Sequence, residues 1–373
     1  MLWLFKGLGP GGAEHLLVST ARVADREGFA FSTAYLLNWK SALVETLRAE
    51  GVEVIGLDVS KATDPRWLWR LRKLLVTGEF DVVHVHSPVV SVATRFVART
   101  MRRRPRLVST EHNSWASHNR WTRWANRFTF RLDDANIAVS EPVRQSLPPR
   151  LRRRVEVIVH GIDVAAVAAA SEQREAVRAE LGLRPEQVVL CTVANLRWQK
   201  GYPDLLQAAK TVVDTGHDVV FLAVGQGPLE AEIAARRDAL GLGERFRLLG
   251  YRPDAASILA ASDIFTLASL HEGFPIAVME ALAAGLPVVA TDAGGIPEAV
   301  RNGVEGQVLP AEQPELLAQA IIALVEDPEL RLQMSAAARD RGRHYDITPA
   351  IRRTEEIYRE LAGRPATTPE SRP

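Results

Sequence analysis

The chain has 373 residues, 47% hydrophobic and 24% charged, with a net charge of +1, which is long for one core, comfortable for two domains and typical of a globular protein. No apolar run nears the roughly 18 residues of a membrane span, and the N-terminus opens directly on a strand-like Leu2-Trp3-Leu4-Phe5 with no basic-then-apolar leader. A single cysteine, Cys191, excludes an internal disulfide, reads as a buried packing thiol, and fits a reducing cytoplasm.

Apolar, β-rich runs fall at Leu2–Phe5, Ala30–Leu37, Val52–Gly56, Val82–His86, Leu107–Thr110, Ala135–Val139 and Val155–Val159, with helical patterns such as Ala13–Glu27 and Pro65–Thr77 between them. The second half repeats the scheme at Val188–Ala194, Val219–Val224, Phe246–Leu248, Ile264–Thr266, Pro287–Ala290 and Gly306–Val308. Near-continuous apolar strands alternating with helices predict parallel sheets covered on both faces. The expected fold class is α/β, with two doubly wound Rossmann-like domains over residues 1–165 and 166–346 facing across a cleft. A hinge is expected around Val164–Ala170, a last helix over 347–362 packing back on the first domain, and a disordered tail over 363–373. Ligands of such sheets bind at the C-terminal strand ends, and the Gly-rich and polar clusters fall there.

Residues 1–165 carry 25 Lys and Arg against 16 Asp and Glu, a balance of +9, and the remainder balances at −8. The basic excess gathers in Arg99–Arg106 and Arg150–Val157. These runs are either solvated loops or a surface for anionic lipid or phosphorylated acceptors, which makes peripheral contact with the inner face of a membrane an expectation to test. Nucleic acid is disfavoured, since no recognised binding motif accompanies the charge.

Gly7-Leu8-Gly9-Pro10-Gly11-Gly12 matches a dinucleotide fingerprint, but the second strand ends in Leu36-Leu37-Asn38-Trp39-Lys40 without the acid that would hold a ribose. The loop therefore points to close backbone approach to another ligand. His84 and His86 share one strand face and His112 sits in Ser109-Thr110-Glu111-His112-Asn113-Ser114. Convergence on a metal needs three or four ligands; a packing role for His84 and a functional one for His112 are the expectations. Trp121, Trp124 and Phe128 recur at helical spacing beside Arg120, Arg123 and Arg127. Core packing of one helix face is the default, and an acceptor-facing or membrane-surface helix the alternative.

In the second half, Arg197 and Lys200 of Ala194-Asn195-Leu196-Arg197-Trp198-Gln199-Lys200-Gly201 fall near a helix start, where two cations and open amides would hold a diphosphate. Gly225-Gln226-Gly227-Pro228 is a tight strand-to-helix turn, and Gly250-Tyr251-Arg252-Pro253-Asp254 offers groups to a base. The most informative stretch is His271-Glu272-Gly273-Phe274-Pro275-Ile276-Ala277-Val278-Met279-Glu280: two carboxylates bracket a turn in which Pro275 suits the first helical position. The amides of Phe274 to Val278 would then be open donors for a phosphate.

These motifs together resemble the retaining glycosyltransferases of the GT-B fold, in particular glycosyltransferase family 4 (group 1). The resemblance runs from Gly9-Pro10-Gly11-Gly12-Ala13-Glu14 to Glu272–Gly285 and is most specific in the paired carboxylates. It implies that Glu280 binds the nucleotide ribose, that Glu272 and the amides of Gly273, Phe274, Pro275–Ile276 hold the sugar, and that Arg197 and Lys200 neutralise the leaving diphosphate. It places His112 against the donor sugar as a catalytic group with Glu272, Arg252 among the donor-binding residues, and Gly11 and Gly12 near phosphates or acceptor. The chain departs from the family where Ala194-Asn195 stands in place of a Gly-Arg pair; its arginine comes three residues before Lys200. The implied reaction moves a sugar from a UDP- or GDP-sugar donor to a glycan or lipid-linked acceptor in polysaccharide or cell-envelope synthesis, with retention. No cofactor and no metal is expected, as the chain lacks an Asp-x-Asp pair. A nucleotide-sugar epimerase of similar shape is the alternative.

Overall fold

In the computed structural model, which describes residues 1–9 and 11–363, the chain divides into two units. The first comprises residues 1–160 and the segment from Ile347 onward, the second Gly161–Asp346. The division precedes the expected hinge, for a physical reason. Ile162 bridges Asp346, its N–H bonds Tyr345 O at 2.7 Å, and Asp163 caps Val164–Ala170, which is a helix. The Gly161–Asp163 turn is thereby fastened into the second unit.

The first unit holds β1 (Leu2–Phe5), β2 (Ser32–Leu37), β3 (Glu53–Val59), β4 (Val82–Val85), β5 (Arg106–Glu111), β6 (Ala135–Ala138) and β7 (Val155–Val157) in one parallel sheet, ordered β3-β2-β1-β4-β5-β6-β7. The alternation in β1 shows why. Trp3 and Phe5 enter one apolar cluster and Leu2 and Leu4 another, all four at most 3% exposed, so helices must cover both faces. The helix Ile347–Ala362 belongs to this unit. Tyr358 meets Trp3 and His84, Glu355 accepts the Asp25 N–H at 2.7 Å, and Arg359 pairs with Asp25 at 2.6 Å. Of the tail expected to be disordered, residues 364–373 lie outside the described residues.

The second unit holds β8 (Val188–Val193), β9 (Val219–Val224), β10 (Phe246–Gly250), β11 (Ile264–Leu267), β12 (Val288–Thr291) and β13 (Gly306–Leu309), again parallel and ordered β10-β9-β8-β11-β12-β13. Cys191 is buried in β8, and burial pushes its thiol pKa up to about 12, which suits packing and not nucleophilic attack.

The helix Arg120–Thr129 corrects an expectation. Its aromatic face points outward: Trp121, Trp124 and Phe128 are 76%, 61% and 65% exposed. The buried face is polar instead. Asn126 and Thr129 accept from Arg95 Nη1, whose guanidinium is fully buried and forks onto Asp133. Periodicity revealed an amphipathic helix, but the buried arginine on a neighbouring helix decides which face turns in.

Candidate active site

In each sheet the first strand is flanked by strands reached through oppositely directed crossovers, so a crevice opens at the C-terminal ends of β8 and β11 in the second unit. The segment after β8 carries Arg197 and Lys200; the segment after β11 carries Glu272. The structure brings them together: Lys200 Nζ lies 2.5 Å from Glu272 Oε1, and the Ser269 hydroxyl donates to the same oxygen at 2.6 Å. Leu270 N–H bonds Gln199 O at 2.8 Å, which stitches the two loops backbone to backbone. This approach requires Gly201: its φ is +60° and a Cβ there would stand 1.9 Å from Ala268 O.

The Glu272 backbone is buttressed from the next loop. Gly294, at φ +58°, lies so close that a Cβ would come 2.3 Å from Glu272 O, while Gly295 N–H bonds Gly273 O at 2.7 Å. The Gly pair after β12 thus clamps the turn that aims the carboxylate.

The helix Ile276–Ala283 starts one residue later than expected. Pro275 is its N-cap, in an extended conformation at φ −75° and ψ 119°, and its carbonyl accepts from Val278 N–H at 3.2 Å. Pro275 has no N–H, and the Val278 N–H is satisfied by the Pro275 carbonyl. The open donors narrow to Ile276 and Ala277, which lack an acceptor by helix geometry.

On the same helix, the Glu280 carboxylate meets no hydrogen-bond or ion-pair partner among the described residues. Burial raises its carboxyl from the ordinary range to about 7. An unpartnered, desolvated carboxylate is a receptor for hydroxyl donors. Arg197 is exposed and its guanidinium also meets no partner among the described residues. Arg252, expected among the donor-binding residues, has its Nε, Nη1 and Nη2 on Asp254 and Glu180 at 2.7–2.8 Å, which braces the turn after β10. Its geometry is that of a scaffold and not of a free cation.

In the first unit, Gly11 is the N-cap of the helix Gly12–Val23; Pro10, between the two halves of the loop, lies outside the described residues. The histidines form a stack. His84 bonds the Tyr358 hydroxyl at 2.5 Å and Thr110 Oγ1 at 2.7 Å, and His86 Nδ1 lies 3.0 Å from His112 Nε2. Phe5 stacks on the His86 ring at 4.4 Å. Burial lowers His84 to about 3 and His112 to about 4 and holds His86 well below its usual value, so all three are neutral at pH 7. Sequence reasoning placed His86 on the face of His84 but gave it no role beside His112. The signal was its position two residues after His84, at the end of the strand beside the one leading to His112. Among the described residues no group of three or more His, Cys, Asp or Glu is arranged to hold a metal ion.

Two parallel-sheet α/β units with such loops at their strand ends define a protein of the two-domain GT-B type. Solved structures of that fold overlay nearly the whole chain. The Anabaena Alr3699/HepE protein in complex with UDP-glucose gives a TM-score of 0.81 at 22% identity, over 96% of this chain and 99% of that one. A glycosyltransferase from Rickettsia africae gives 0.78 at 20% identity, over 96% and 97%.

The sequence carries the family itself. Residues 10–166 match Glycosyltransferase Family 4 and residues 173–341 match Glycosyl transferases group 1. A phosphatidyl-myo-inositol mannosyltransferase of Mycobacterium leprae is 30% identical, over 79% of this chain and 77% of its own length. The Escherichia coli UDP-Gal:alpha-D-GlcNAc-diphosphoundecaprenol alpha-1,3-galactosyltransferase is 27% identical over 86% and 85%. The chain belongs to glycosyltransferase family 4, group 1, and is a glycosyltransferase.

Proposed function

We propose that the protein transfers a sugar from a UDP- or GDP-sugar to a hydroxyl of a glycan or lipid-linked acceptor, with retention and without a metal. The observation that carries this reading is the Lys200–Glu272 pair at the β8–β11 crevice, beside the open amides of Ile276 and Ala277 and the unpartnered Glu280. A nucleoside diphosphate-sugar needs three kinds of recognition: hydroxyl acceptors at its ribose, positive charge at its diphosphate, and a carboxylate at its sugar. Glu280, Lys200 with Arg197, and Glu272 supply them in turn.

The bond that breaks joins the sugar anomeric carbon to the diphosphate. Positive charge grows on the sugar ring and negative charge on the leaving oxygen. Lys200, Arg197 and the helix-terminal amides oppose the second charge in a partly desolvated site, where fixed donors count most. The acceptor oxygen bonds the anomeric carbon from the face the diphosphate leaves, and its proton passes to the leaving phosphate oxygen; nucleoside diphosphate departs. His112 is our further candidate for contact with the sugar. Neutral and hydrogen-bonded to His86, it can exchange hydrogen bonds with hydroxyls without bringing charge.

The donor class draws support from the UDP-glucose complex of the Anabaena protein and the UDP-Gal specificity in the E. coli relative's name, and the acceptor class from the lipid-linked acceptors in the names of both relatives. Incubation with UDP- and GDP-sugars in EDTA tests the reading. Slow release of nucleoside diphosphate, faster with acceptor, is expected. Epimerised intact donor would replace transfer with the epimerase alternative, and activity lost to EDTA and restored by a divalent cation would overturn the metal-free step.

A further inference from the structure

The helix Arg120–Thr129 is built inside out for a water-facing helix. At 100° per residue Trp121, Trp124 and Phe128 fall in one arc, and Arg120, Arg123 and Arg127 in the adjoining arc. All six are exposed, the aromatics by 61–76% of their surface. Arg131, in the turn that follows, is exposed as well, and none of the four guanidiniums forms an ion pair among the described residues. Such a surface is costly in water, and here it is held firmly. Asn126 donates to buried Glu111 at 2.9 Å, and Arg95 binds both Asn126 and Thr129. Phe96, 58% exposed, stands on the helix Pro88–Arg99 between Arg95 and Arg99, the latter bonding Leu132 O. The arrangement exposes the aromatic stripe as a rigid feature.

We propose that this helix docks on an anionic lipid bilayer, with Trp121, Trp124 and Phe128 at the boundary of headgroups and acyl chains and Arg120, Arg123, Arg127 and Arg131 on lipid phosphates. Charge complementarity selects the occupant. Four unpaired guanidiniums flank the aromatics, within a first half whose balance is +9. Amphipathic Trp and Phe beside Arg suit the interface, where the rings leave water and the charges keep phosphate partners. The helix is also wired to the transfer machinery: Glu111, held by Asn126, directly precedes His112. Docking would thus be sensed one residue from the histidine, and a lipid-linked acceptor would be met at the surface where it resides. The docking step itself uses no part of the transfer reaction.

The test uses the full-length protein and sedimentation with vesicles, one set of phosphatidylcholine and one of equal parts phosphatidylcholine and phosphatidylglycerol. Binding to the mixed vesicles alone, weakening with salt, is expected. The variant W121S/W124S/F128S should lose at least about tenfold in partition. R120Q/R123Q/R127Q should lose roughly a hundredfold, as each Arg near such a surface counts for about a factor of five. Both should melt at the wild-type temperature, because the substituted side chains make no inward hydrogen bond. Wild-type protein that ignores the mixed vesicles, or variants that bind them equally well, would overturn the proposal. So would a concentration-dependent dimer that the aromatic variant abolishes without lipid, since a second copy would then be what covers the face. Release of nucleoside diphosphate from soluble donor is read alongside; its absence would count against the transfer reading and leave the vesicle result intact.

Discussion

Glu280 offers the sharpest test of how the second unit holds its donor. Its carboxyl is pushed from 4.5 to about 7 by burial, and no partner among the described residues relieves it. A raised folded-state pKa means that the native chain holds a proton the unfolded chain has released. The cost is absent below about pH 4.5 and fully present above about pH 7. A shift of this size corresponds to roughly 3 kcal/mol. Hydroxyl donors from a ribose would stabilise the ionised form, so binding should pull the pKa down. If it falls below 6 in the complex, donor affinity should be about tenfold weaker at pH 6 than at pH 8, because only about a tenth of the free sites are ionised at the lower value. The ligand must be an intact nucleotide-sugar, whose diphosphate is doubly esterified and does not titrate in this window. Titration calorimetry from pH 6 to 8, on wild type and E280Q, measures the slope. The wild type should show the tenfold change and E280Q a weak, flat profile. In parallel E280Q should be more stable than wild type at pH 8, with the difference shrinking towards pH 4. A flat wild-type profile, or the same slope in E280Q, would remove the ribose role from Glu280.

Other perturbations probe other links. Lys200→Ala should lower kcat about a hundredfold or more while leaving the fold intact, read by steady-state kinetics beside a thermal melt, because it removes the charge opposing the leaving diphosphate. Gly201→Ala should destabilise the second unit by more than about 2 kcal/mol, since it adds left-handed strain to a clash with Ala268 O; denaturant titration measures it. Asp133→Asn should cost roughly 3–5 kcal/mol of first-unit stability, because it strands the buried Arg95 guanidinium, and a wild-type unfolding midpoint would refute that. His86→Phe should keep the ring stack and remove the partner of His112, so kcat should fall with the melting temperature nearly unchanged.

The fold was largely legible because its signal is local. Each strand is an apolar run bounded by turn residues, and the alternation with helices dictates parallel sheets whatever the side-chain detail. Glu272, Glu280 and Lys200 could be picked out on the same ground, since each sits at a fixed offset from a strand end. What could not be read depends on long-range partners. Lys200 and Glu272 stand 72 residues apart in sequence, and only the order of β8 and β11 in the sheet makes them an ion pair. Arg252 carries the same charge as Arg197, yet one is locked between two carboxylates and the other stands free. Residue type alone does not distinguish them. The Arg120–Thr129 helix is the clearest case. A hydrophobic stripe ordinarily turns inward because burial is its most favourable contact, and that expectation fails when the inward face already holds a better-satisfied set. Arg95, buried on its own helix, must be neutralised and hydrogen-bonded or the core would not form. Asn126, Thr129 and Asp133 do this only if the aromatics face out. One buried charge therefore fixes the orientation of a helix thirty residues away, and with it the surface that this enzyme turns to its surroundings.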